Sequence, residues 1–137
     1  MLDRPDRVDL LQAAETALRD ELLPGLDGAA KYTALMVASA IAMARREIEA
    51  GHDPARRVLD AFAEFYGQDN VHRAGTGAGE RALALMGDLA RELRDGDYDE
   101  ALLGPVHEVL HTLVVERLKA ANPRFLEARE YSQPSRS

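Results

Sequence analysis

The chain has 137 residues, 30% charged and 46% hydrophobic, a size and balance suited to one globular core without covalent staples. It contains no cysteine, which excludes disulfides, thiolate metal centres and thiol catalysis and accords with a reducing cytoplasm. A net charge of -7 and the absence of tryptophan speak against a nucleic-acid partner, which demands a basic surface or an aromatic stacking platform.

The opening MLDRPDRVDLL sets acids and arginines ahead of any apolar run, unlike a secretory leader. A first helix is expected from about Asp6 to Leu23, closed by Pro24-Gly25, with Val8, Leu11, Leu18 and Leu22 as its apolar stripe. A second runs from about Ala29 to Ala50 and stops at Gly51. Its uncharged middle, residues 32 to 44, is shorter than the roughly 20 residues of a membrane span. Because it is apolar almost all round, it is expected to be the helix most enclosed by the others. Its alanines and Ser39 permit close backbone approach.

A third helix opens at Asp53-Pro54, shows Val58, Leu59, Phe62, Phe65 and Tyr66, and stops at Gly67. The stretch GQDNVHRAGTGAGE reads as a loop. The fourth helix carries Leu83, Met86, Leu89, Ala90 and Leu93 and ends at Gly96. The fifth begins near Asp99, restarts at Gly104-Pro105 and runs to about Ala121, where Asn122-Pro123 ends it. From about residue 130 a polar, flexible tail is expected. No segment alternates with the period of a strand. The expectation is an all-α, antiparallel helix bundle of about five helices in one domain spanning residues 1–137.

The stretch VHEVLHTLV places His107, Glu108 and His111 in the order H-E-x-x-H, the pattern of zinc peptidases. One helical turn separates the imidazoles, so both can reach one ion, with Glu108 as base on a metal-bound water. The extended motif fails: Val114 and Arg117 stand where it has Gly and His. Glu116 is turned about 140° from His111 and lies about 7.5 Å further along the axis. Only Glu127, Glu130, His52 or His72 remain as third ligands. With Val106, Leu110, Leu113 and Val114 taken as the buried face, His107 and His111 fall at its border and read as core-edge residues. A metal-dependent hydrolase through them is the alternative.

Glu49/His52 and Glu108/His111 also form paired E-x-x-H motifs, and with Glu15 and Glu47 would make a di-iron ligand set. His52 lies beyond the Gly51 stop, which weakens that reading. GTGAG has neither a preceding strand nor a following Lys-Ser or Lys-Thr, so it reads as a linker rather than a phosphate loop. No cofactor is implied. Glu47 lies about 20° from Met36 and Arg117 about 20° from Val106 around their helices. Each is therefore expected either as a buried charge in need of a partner, with a small-ligand pocket as one consequence, or as a side chain reaching out to water.

Four short stretches occur in order: RPD at residues 4–6, LLPGLDG at 22–28, RREIEAG at 45–51 and LKAANPRFL at 118–126. They resemble an uncharacterised bacterial family of small helical domains. Arg4, Pro5, Gly28, Glu47, Asn122, Pro123 and Arg124 match its pattern, and Arg117 matches a position that is basic in both. The HEVLH stretch is not part of that pattern. Members are encoded beside, or fused to, aminoglycoside-phosphotransferase-like kinases and acyl-CoA dehydrogenases. The resemblance therefore implies a non-catalytic accessory domain with such a partner, in the cytoplasm. A second copy of the chain is a further candidate to cover the apolar second helix.

Overall fold

The computed structural model describes residues 3–72 and 77–128 and is all-α, with no strand among the described residues. Five longer helices are present: α1 (Arg7–Ala17), α2 (Gly28–Ala50), α3 (Asp53–Tyr66), α4 (Ala78–Arg94) and α5 (Pro105–Ala121). A short α6 (Pro123–Ala128) follows. The expected tail from about residue 130, and the beginning of GTGAG, lie outside the described residues. Two compact units divide the chain, Met1–Gly51 and His52–Ser137.

In the first unit, α1 opens with a reciprocal cap. The Asp6 carboxylate accepts from the Asp9 amide (2.9 Å), and the Asp9 carboxylate accepts from the Asp6 amide (3.1 Å). The helix widens into a π segment at Leu18–Leu22, where the Leu23 amide reaches back to the Leu18 carbonyl. Pro24, which lacks an amide hydrogen, follows in a 3-10 turn that closes the element. Then α2 packs against α1.

Here α2 departs from expectation. Its buried residues are Ala34, Ala38 and Ala42, one per turn, and Leu23 is the remaining buried side chain of this unit among the described residues. Small side chains let the two helices approach closely, but each alanine removes little apolar area from water. The large residues of α2, Tyr32, Met36, Val37 and Met43, are exposed instead. Being apolar all round did not make α2 the enclosed helix, because one neighbouring helix covers only one face. Gly51 ends it with φ +61°, a conformation L side chains rarely adopt.

The second unit holds the larger core. Helix α3 packs on both α4 and α5. Val58 and Phe62 from α3 meet Ala82, Leu85 and Leu89 from α4 and Val106 and Val109 from α5. Leu59, Phe65, Tyr66, Met86, Leu93, Leu110 and Leu113 pack around them, as their spacing predicts. Leu83 and Ala90, also assigned to the α4 stripe, are exposed, and Leu85 takes the central place. The region after α4 turns back through Gly96 (φ +82°), and α5 begins only at Pro105 rather than near Asp99.

Candidate functional site

The wheel of α5 is rotated from its expected setting. Val106 and Val109 are buried while Val114 is exposed, so the buried direction lies toward 109 and 116 rather than toward 110 and 114. The residues named from the sequence move accordingly. His107, Glu108 and His111 are all exposed, not at the core edge. The two imidazoles lie one above the other with centroids 6.4 Å apart. Among the described residues no group of three His, Asp or Glu gathers as a metal site, so the pair meets no third ligand there. Glu130, one candidate for that role, lies outside the described residues.

Arg117 is likewise exposed, and so is Glu47 on α2; burial therefore forces no partner on either. The enclosed charges are their neighbours. Glu116 has a side chain only 8% exposed and holds Arg57 of α3 through two contacts (2.7 and 3.1 Å) and Lys119 at 2.9 Å. Burial pushes its carboxyl up, but the hydrogen bonds from Arg57 and Lys119 outweigh this and hold it below its ordinary value. In the first unit, Arg45 of α2 reaches Glu15 of α1 at 3.2 Å, and Arg19 closes on the same Glu15 at 3.0 Å. Glu15 is thereby engaged in clasping two helices. Each ion pair ties one helix to another: Glu15–Arg45 joins α1 to α2, and Glu116–Arg57 joins α5 to α3 beside the larger core.

A third polar cluster was not anticipated. The phenols of Tyr66 (α3) and Tyr98 both donate to the Glu92 carboxylate of α4, Tyr98 at 3.1 Å. Phe62 stacks on Tyr66, and Phe65 lies against both tyrosines. Burial and the adjacent carboxylate push both phenols above their ordinary range. Tyr66 was legible only as an apolar stripe member, Tyr98 was not singled out, and the acid that orders both carries no periodic signal.

Two surfaces remain open. An open groove of about 400 Å³ in the second unit is floored by Phe65, Val109 and Pro105, with Leu103 beside it and Glu64 and Glu108 lining it. Leu103 is almost wholly exposed. The other surface is the outer side of α2, where Tyr32 (67% exposed), Met36 (55%) and Met43 share a face that carries no charge from residue 32 to 44.

The resemblance residues have mostly structural places. Arg4 pairs with Asp9 at 2.9 Å and precedes Pro5 across a cis bond. Gly28 opens α2 with φ +56°. Asn122 caps α5, its amide donating to the Leu118 carbonyl at 2.8 Å, and Pro123 starts α6, with Arg124 exposed on it. No helix among the described residues is long and apolar enough to cross a membrane.

The family described as Domain of unknown function (DUF6285) matches residues 24–125, and the chain belongs to it. Arg4 and Pro5 fall outside the matched span; Gly28, Glu47, Arg117, Asn122, Pro123 and Arg124 fall within it. No curated protein and no solved structure matches the chain.

Proposed function

We propose that the chain is a non-catalytic interaction domain, an accessory to an aminoglycoside-phosphotransferase-like kinase linked to acyl-CoA metabolism in the bacterial cytoplasm. The observation that carries this reading is the amount of large apolar side chain standing outside both cores: Tyr32, Met36 and Met43 on α2, Leu83 on α4, and Leu102 and Leu103 before α5. Contiguous apolar surface is held exposed at a cost in water and marks sites that partners cover. The charged side chains enclosed in the two units, Glu15, Arg45 and Glu116, are engaged in holding helices together. The kind of partner is taken from the family resemblance, an associational argument rather than one from contacts. Co-expression of the tagged chain with an aminoglycoside-phosphotransferase-like kinase from the same source tests the reading. Retention of the kinase through purification supports it, and failure to retain any such partner counts against it.

A further inference from the structure

We infer that the outer face of α2 is the seat of a second copy of this chain, paired antiparallel about a two-fold axis between Ser39 and Ala40. The inference rests on reading that face as a contact surface and names its occupant. Tyr32, Met36, Ala40 and Met43 fall within about 80° of one another around the helix, and their centre lies roughly 150° from that of the buried Ala34, Ala38 and Ala42. The stripe Tyr32, Met36, Ser39, Met43 advances by four, three and four residues, the 3.5-residue repeat of a helix seam.

The stripe is also symmetric in side-chain size. Positions 36 and 43, both Met, are equidistant from the midpoint of Ser39 and Ala40, and so are Tyr32 and Glu47. A two-fold contact requires a face that complements itself. Antiparallel pairing sets Met36 against Met43 of the second copy in both directions and places the small Ser39 and Ala40 at the crossing, where backbones come closest. It also brings each Tyr32 phenol beside Glu47 of the second copy, a donor facing a carboxylate. A parallel pair would instead set Glu47 against Glu47 and align the helix dipoles unfavourably.

From Tyr32 to Glu47 the face runs about 23 Å along α2, a contact at the small end of specific interfaces. The first unit buries just Leu23 and three alanines among its described residues, so pairing would supply apolar burial that it otherwise lacks.

Because the chain has no cysteine, single-cysteine variants report the register cleanly. Mixing Met36→Cys with Met43→Cys and adding a short thiol cross-linker is expected to link one variant to the other in preference to either with itself. Met36→Glu, an exposed position in the protomer, is expected to keep the helical circular dichroism and weaken self-association at least about 100-fold, since the two-fold pair would desolvate two introduced charges, one from each copy. Preferential cross-linking of each variant to itself, or a monomer at every concentration, overturns the second-copy assignment. Kinase retention by the chain separates the two ideas. A monomer that still retains the kinase leaves the interaction reading standing, whereas a monomer that retains nothing removes both.

Discussion

Leu83→Ala and Leu85→Ala make the same chemical change two residues apart on α4, and their costs should differ widely. Leu85 is 0% exposed at the centre of the second core, whereas Leu83 is 68% exposed. Truncating Leu85 removes three carbons from an apolar site, worth about 2.4 kcal/mol at about 0.8 per buried carbon. It also leaves a cavity whose residual volume adds to that, for a total of about 3–4 kcal/mol. Truncating Leu83 forfeits about a third of the same transfer term, roughly 0.7 kcal/mol, and regains a few tenths because alanine is the better helix former. The difference is about 3 kcal/mol, or about 10 °C in Tm for a chain of this length. Equilibrium urea unfolding followed by tyrosine emission measures it, since the chain has no tryptophan and Tyr66 and Tyr98 both lie beside this core. Unfolding free energies within about 0.5 kcal/mol of each other, or a larger loss for Leu83→Ala, would show that the burial pattern of α4 is misassigned.

Three further outcomes follow from the polar clusters and the histidine pair. Because Glu116 is held below its ordinary value, the folded state binds fewer protons there than the unfolded one. Its contribution is then present above pH about 4.5 and lost as pH falls through the folded value; stability of Glu116→Gln should fall less steeply than wild type between about pH 5 and 3, and parallel profiles would refute this. Tyr66 and Tyr98 are raised, so the stability linked to them is present below about pH 10 and lost as pH rises further. Absorbance at alkaline pH should show them ionising after the ordinary phenol range, and Glu92→Gln should bring both back toward it. Finally, replacing His107 and His111 together by alanine should leave the metal content of the purified protein unchanged. Stoichiometric zinc lost in that variant would restore a metal site to the H-E-x-x-H stretch.

Helix existence was legible because punctuation is local. Pro24-Gly25, Gly51, Gly67 and Asn122-Pro123 each end an element through the chemistry of one or two residues. Helix rotation was less so, because which side of an apolar wheel is buried depends on the neighbour that arrives. On α5, Val109 and Glu116 turn inward and Val114 outward, although the apolar pattern admits both settings. That is why Glu47 and Arg117 were singled out while the enclosed charges are Arg45 and Glu116, one or two positions away. On α2 the pattern is apolar on every side, so it held no information about which side would stay open. The Tyr66–Glu92–Tyr98 cluster was invisible for a further reason: it joins α3, α4 and the turn after α4, three places no single period connects.

Sedimentation equilibrium of the wild-type chain and Met36→Glu, each over a range of micromolar concentrations, tests the role of the outer face of α2 most directly. The wild type should approach twice the 15.0 kDa chain mass as concentration rises, while Met36→Glu stays at the single-chain mass with its helicity intact. A wild-type chain that remains at 15.0 kDa throughout, or a variant that self-associates as strongly as the wild type, would contradict it.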